Sequence, residues 1–308
     1  MKIAVIGAGA MGTLFGGRLA QAGNDVTMVD VSSAVLEEIQ KDGICLEDES
    51  GMHQIPVKAS KAEEIKEAMD LVILFTKTLY SRSALESASA FLGTDTYVLT
   101  LQNGLGNIEL IQEFTDIHHI IAGVTNYASD VKGPGKIASF GSGYVKVMSA
   151  DGCQSPMLHR VQEELVGAGF CAEITEDVFA AIWEKVGFNA AINSTTAICH
   201  VPCGGIGAVA EGRMLAEKIA EETAMVANAY GIALSAQTII QSLEHTYEAH
   251  KNHFTSMAQD VQRKQKTEVA YINGGIVQKA KEKGLQVPYT EAVYWLLRVM
   301  EDTYDLQQ

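Results

Sequence analysis

Hydrophobic and polar positions change their period once along the chain. In the first part, short apolar runs alternate with amphipathic stretches. Lys2–Ile6, Asp25–Val29, Leu71–Phe75, Tyr97–Leu101 and Ile120–Val124 read as strands, several of them apolar enough to be buried on both faces. Ala10–Ala22, stopped at Gly23, and Ser32–Lys41 read as helices. Strands alternating with helices imply right-handed crossovers and a parallel sheet. The runs between Ile137 and Val147, around Gly141-Ser142-Gly143, predict a hairpin added at the sheet edge. After about Thr175 strand-like runs give way to helical patterns at Asp177–Cys199, Glu211–Tyr230, Ala236–His250, Ser256–Lys283 and Thr290–Tyr304. The expected organisation is an α/β domain over residues 1–175 and an all-helical domain over residues 176–308, with the boundary in Cys171–Asp177.

Composition narrows the ligand. The 308 residues carry a formal net charge of −15. That argues against nucleic acid, whose binding rests on basic surfaces. Any anionic small ligand must therefore be held by local donors rather than by the overall field. The N-terminal run MKIAVIGAGAMG has one early Lys and an apolar stretch, but glycines interrupt it, so it is not expected to be a signal peptide. No apolar stretch approaches the roughly 20 residues a membrane helix needs. Five cysteines, an odd number, fit reduced thiols in a cytoplasmic protein. Cys199-His200-x-x-Cys203 has the look of half a metal site, but no second pair stands at suitable spacing, and no metal is expected.

The missing donors are found at the start of the chain. Gly7-Ala8-Gly9-Ala10-Met11-Gly12 matches G-x-G-x-x-G, directly after a strand and opening a helix, and Asp30 closes the next strand. Gly7 permits the tight turn, Gly9 allows a pyrophosphate to approach the backbone, and Gly12 lets the helix pack on the sheet. The helix N-terminus, at Ala10 and Met11, supplies the positive end of a dipole. This is the pattern of a Rossmann-type dinucleotide-binding domain. The alternative is a glycine turn in some other α/β protein. A carboxylate at Asp30 suits the free ribose hydroxyls of NADH and repels the 2′-phosphate of NADPH, and Val31-Ser32-Ser33 offers no Arg to offset it.

A second constellation lies in the helical part. Between Val178 and Ile192 nearly every residue is apolar or small, and the charges are Glu184 and Lys185. Lys185, Asn189 and Asn193 recur at four-residue intervals and share one face. A helix apolar on its other faces is usually buried, and a buried ammonium and carboxamides need partners, which a ligand can supply. A desolvated Lys has a lowered pKa and can polarise a ketone and then protonate it as a hydride arrives. The alternative is a stripe that simply faces water.

Taken with the glycine loop, Lys77 in FTKTLYS, Asn103 in LQNGLGN, WEKVGFNAAINSTTAI and SMAQDVQRKQKTEVAYINGG resemble the ketopantoate reductase family over nearly the whole chain and in the family's order. The resemblance implies reduction of 2-dehydropantoate to (R)-pantoate with NADPH, a step toward pantothenate and coenzyme A. It implies Lys185 as general acid, Glu268 in the active site, Asn189, Asn193 and Ser256 as substrate contacts, and Lys77 and Asn103 on the cofactor side. Each also has a plainer reading. Asn103-Gly104 is a common turn, Ser256-Met257-Ala258-Gln259 a capping box, Lys264 and Glu268 an i, i+4 ion pair, and Lys77 an ordinary surface lysine. Two residues depart from the family pattern. Asp30 stands where many members have a basic residue, and Cys203 where many have Asn, which is expected to alter the wall of the substrate pocket. Both favour a runner-up, an NADH-dependent D-2-hydroxy acid dehydrogenase acting on branched or aromatic 2-keto acids. A non-catalytic nicotinamide-dinucleotide sensor is the third reading. The late apolar residues Trp295, Leu296, Leu297, Val299 and Met300 suit either a homodimer contact or core.

Overall fold

The computed structural model describes residues 1–306. Its chain divides into two compact units, one of Met1–Gln102 with Asn107–Val178, the other of Asn103–Gly106 with the chain from Phe179 onward.

The first unit carries the strands. The sequence opens β1 (Lys2–Ile6), α1 (Ala10–Gln21), β2 (Asp25–Val29), α2 (Ser33–Asp42), β3 (Ile44–Asp48), β4 (Gly51–Ile55) and β5 (Lys58–Ser60). It continues with β6 (Leu71–Leu74), α3 (Ser81–Ser87), β7 (Tyr97–Thr100), α4 (Asn107–Ile111) and β8 (Ile120–Thr125). The unit closes with β9 (Asp130–Gly133), β10 (Lys136–Ala138), β11 (Val145–Ser149), α5 (Pro156–Gly167) and β12 (Ala172–Ile174). Among the described residues these form an eight-stranded sheet, ordered β12-β11-β8-β7-β6-β1-β2-β5, and a four-stranded sheet, ordered β4-β3-β10-β9. From β5 to β8 the large sheet is parallel throughout. Its central strands are buried on both faces, which is why Ile3–Ile6 and Leu71–Leu74 show no polar alternation. Chain order reverses between β1 and β6, and ligands of open parallel sheets bind at the carboxyl ends of strands flanking such a reversal.

The hairpin expected around Gly141-Ser142-Gly143 is not formed. β10 pairs with β3 and with β9, whereas β11 pairs antiparallel with β8, in the other sheet. The reversal falls instead between β9 and β10, where Gly135 adopts φ +66°. The Gly141–Gly143 segment crosses between sheets, and Gly143 lies so close to the Tyr127 ring that a Cβ would sit 2.7 Å from it.

The second unit is built of α6 (Val178–Cys199), α7 (Cys203–Gly207), α8 (Ala210–Ala229), α9 (Ala236–Ala249), α10 (Ser256–Gln262), α11 (Asn273–Glu282) and α12 (Pro288–Asp302). α6 runs through its core, with Ala190, Ala191 and Ile192 fully buried. Thr195 and Thr196 return their hydroxyls to the carbonyls four residues earlier, each at 2.7 Å, so these hydroxyls are satisfied without solvent. Gly187 lets α6 approach two neighbours, since a Cβ there would lie 2.6 Å from Ile239 and 2.9 Å from Thr223. The single helix expected over Ser256–Lys283 is two. α10 stops at Gln262 and Lys264 takes a left-handed conformation, φ +52°. The Thr267 N–H then donates to the Glu301 carboxylate rather than to a carbonyl of its own turn.

α12 resolves the ambiguity of its apolar residues. Leu297 is fully buried, whereas Trp295, Leu296 and Val299 are more than half exposed on the outer face. Among the described residues no helix is long and apolar enough to cross a membrane, and no group of His, Cys, Asp and Glu could hold a metal ion.

Candidate active site

The glycine loop occupies the carboxyl end of β1. Gly7 has φ +102°, and an added Cβ would lie 2.8 Å from the backbone of Phe75 and Thr76, which follow β6. A Cβ on Gly12 would lie 1.8 Å from the Gly7 carbonyl oxygen, so the turn and the first turn of α1 touch backbone to backbone. Gly9 is the opposite case. It is exposed, and a Cβ there would meet nothing within 4 Å. It caps α1 without a side-chain hydrogen bond, and no acidic residue stands in the first turn. The leading N–H groups at the start of α1, on half-buried Ala10 and Met11, are thus uncapped with the helix dipole behind them. These donors fit a pyrophosphate, which an acidic protein cannot attract by net charge.

Asp30 closes β2 and works on the same loop. One carboxylate oxygen accepts the Ala8 N–H at 2.7 Å and the other the Ser32 N–H at 2.9 Å. The second bond is an Asx turn, a signal present in the sequence as Asp-x-Ser; the first had no local signal. Each oxygen retains acceptor capacity for a ribose hydroxyl. Val31, beside it, is 94% exposed. Lys77 is half-buried and starts a short turn after β6. That turn is held by Gln102, whose amide donates to the Thr76 carbonyl and the Ser81 hydroxyl, both at 2.7 Å.

In the helical unit the two asparagines of the α6 stripe are buried and Lys185 is half-buried. Asn189 and Asn193 are 7% and 6% exposed. Burial of the Lys185 ammonium pushes its pKa down to about 8, and the nearby charge of Glu268 opposes that fall. Asn103 joins this group, its amide donating to Glu268 Oε2 at 3.0 Å. Gly104, at φ +88°, brings the chain against Tyr271, whose carbonyl accepts the Leu105 N–H at 2.8 Å. Lys185, Glu268 and Asn103 thus form a cation, a carboxylate and an amide in one place.

Three sequence expectations change. Ser256 is not the cap of α10. Thr255 is, its hydroxyl accepting the Ala258 N–H at 3.3 Å, while Ser256 is exposed as the first helical residue. The Thr255 hydroxyl also bonds Thr196 at 2.8 Å, which ties the start of α10 to α6 one turn beyond Asn193. Lys264 and Glu268 share no helix, and Lys264 Nζ donates to the Tyr304 carbonyl at 3.2 Å. Cys203 is 1% exposed in the helical core beside Ile206 and Tyr247, and burial pushes its thiol pKa up. It packs as a small apolar residue.

A parallel sheet with a glycine loop at its reversal is the architecture of a dinucleotide-binding domain, here followed by an all-helical part with a half-buried lysine. Residues 3–152 match the family model described as ketopantoate reductase PanE/ApbA, and residues 177–301 match its C-terminal counterpart. The 2-dehydropantoate 2-reductase of Pyrococcus horikoshii is 33% identical over 98% of both chains, and that of Streptococcus pyogenes serotype M1 is 30% identical over the whole of both. Among solved structures, D-mandelate dehydrogenase with NADH and anilino(oxo)acetate is 29% identical, covers 99% of this chain and 100% of its own, and has a TM-score of 0.94. The 2-dehydropantoate 2-reductase of Geobacter metallireducens is 29% identical, covering 97% and 99%, with a TM-score of 0.91. The chain belongs to the ketopantoate reductase family, whose members are NAD(P)H-dependent oxidoreductases. The sensor reading falls with that assignment.

Substitution at the two glycines separates folding from binding. Gly9→Val should leave the melting temperature nearly unchanged yet weaken NADH, followed by fluorescence titration, by on the order of tenfold or more. Gly12→Ala should lower the melting temperature, because its methyl would sit 1.8 Å from the Gly7 carbonyl oxygen, backbone that cannot readily move, and 3.3 Å from Phe75 Cβ.

Proposed function

We propose that this protein reduces 2-dehydropantoate to (R)-pantoate, on the route to pantothenate and coenzyme A. The observation that carries the reading is Lys185, a lysine whose burial brings its pKa to about 8 beside the Glu268 carboxylate. The glycine loop, with Ala10 and Met11, and Asp30 and Lys77 hold the dinucleotide, which when bound supplies the hydride. Lys185, protonated, polarises the ketone and delivers its proton to the oxygen. Glu268 keeps that proton on Lys185 until it is needed, and Asn103 orients Glu268. Asn189, Asn193 and Ser256 receive the hydroxyl and carboxylate oxygens of the substrate. Free cysteines, three of them exposed, suit a reducing cytoplasm.

Asp30 favours NADH over NADPH, in contrast to the usual preference of the family. That supports a second reading, an NADH-dependent D-2-hydroxy acid dehydrogenase taking branched or aromatic 2-keto acids. The similarity to D-mandelate dehydrogenase with NADH points the same way. The exposed face of α12, with Trp295, Leu296 and Val299, is our candidate for a homodimer contact.

Steady-state rates with 2-dehydropantoate and with branched and aromatic 2-keto acids, each with NADH and NADPH, decide between the two substrates. Turnover of the branched or aromatic acids alone would sink the first. Lys185→Ala should lower kcat by on the order of 10²-fold or more with NADH affinity kept; unchanged turnover rules out its role. Proton donation requires the ammonium, so kcat/KM should fall as pH rises through about 8. Val31→Arg places a cation beside the ribose without breaking the Asp30 bonds. It should move the kcat/KM ratio toward NADPH by on the order of tenfold, and an unmoved ratio refutes the Asp30 account. If α12 is the dimer contact, Trp295→Glu should halve the mass measured by light scattering.

A further inference from the structure

The backbone that carries Glu268 is irregular. Between α10 and α11 it makes no regular helix, and Arg263, Lys264, Gln265 and Lys266 just before it are exposed. One buried group fastens it. Glu301, on α12 and 7% exposed, accepts both the N–H and the hydroxyl of Thr267 on a single oxygen, each at 2.6 Å. The Thr267 hydroxyl oxygen in turn accepts the Val269 N–H at 3.1 Å. Both neighbours of Glu268 are thereby fixed, and its own carbonyl accepts the N–H groups of Tyr271 and Ile272, each at 3.0 Å.

α12 is itself held at its other end. Glu222 on α8 accepts the Tyr289 N–H at 3.0 Å and the Thr290 N–H and hydroxyl at 2.8 and 2.7 Å. The helix is thus tied at both ends by buried carboxylates and serves as a fixed strut. A buried carboxylate is costly without a partner, and the other oxygen of Glu301 has the Arg298 guanidinium at 3.8 Å. The other charges around it are the Lys266–Asp302 pair, at 2.5 Å, and the Tyr304 phenol, pushed up to about 12 by burial and by Glu301 and Asp260. The charge acting on Lys185 is that of Glu268.

We propose that Glu301 is a positioning residue for the reaction, holding Glu268 through Thr267 so that its carboxylate stays on Asn103 and beside Lys185. The inference rests on the reading of Lys185 as proton donor. Glu301 touches no reacting atom. Its effect travels through one loop residue, and all five groups lie in the helical unit.

The test compares Glu301→Ala, Glu301→Gln and Thr267→Val by kcat, KM and pH profile, using the 2-keto acid the enzyme turns over best. Glu301→Ala should lose on the order of tenfold to a hundredfold in kcat with KM for the dinucleotide unchanged. Its alkaline limb should move to lower pH, because a displaced Glu268 no longer supports the Lys185 proton. Glu301→Gln keeps an acceptor oxygen and should stay within about threefold of the parent, with its limb in place. A folded Glu301→Ala with parental kcat and limb overturns the proposal. So does a Gln variant as impaired as the Ala variant. Should Glu301→Ala not fold, Thr267→Val removes only the hydroxyl; it should shift the limb in the same direction by less, and an unshifted limb overturns the proposal. Lys185→Ala runs alongside. Retained turnover there defeats the proton-donor reading itself, whatever Glu301 does.

Discussion

A partly buried ammonium with a carboxylate beside it is the interaction on which the polar centre of the second unit depends. Burial disfavours the charge on Lys185, and an opposite charge nearby opposes that effect. Glu268 is that charge; its carboxylate accepts from Asn103, and Thr267 just before it donates to Glu301. Two opposing effects leave the pKa at about 8. A lysine near that value is still mostly protonated at neutral pH yet gives up its proton far more readily than one in water, which is the balance a proton donor to a ketone needs.

The first unit solves a different problem. Its ligand is an anion and the chain carries a net charge of −15. The start of α1 has no side-chain cap, and its backbone N–H groups are our candidates to replace the cations that the composition withholds. The carboxylate of Asp30, which on charge alone is out of place there, holds the loop through Ala8 and Ser32. Its negative charge is tolerable for a ribose with free hydroxyls and unfavourable for one bearing a phosphate. The side chain that holds the loop is thus also the one we propose to select the cofactor.

Much of the fold was legible where one local rule dominated. β2 begins and ends where its apolar run does, and α6, α8 and α9 lie within a residue or two of their periodic stretches. Reading failed where a distant group decided. α10 ends at Gln262 before a left-handed Lys264, and Thr267 finds its acceptor in Glu301, 34 positions further on. Gly141-Ser142-Gly143 looks like a turn locally, but β10 finds its partner in β3 and β11 in β8. Cys203, expected at a pocket wall, is drawn into the core beside Tyr247.

The sequence by itself determined the strand–glycine–helix start, the carboxylate after β2 and the polar stripe on an otherwise apolar helix. Those are short-range patterns, and each follows from backbone geometry repeating every two or three to four residues. It also carried the family, because the motifs lie along nearly the entire chain. Only the tertiary structure decided which groups meet. Asn103 and Glu268 are 165 positions apart, and Thr196 and Thr255 are 59 apart. No periodicity relates such pairs, since they are brought together by the packing of α6, α10, α11 and α12 into one core. The lysine on the polar stripe was therefore legible, but its pKa was not, because that is a property of the surroundings that burial and Glu268 create.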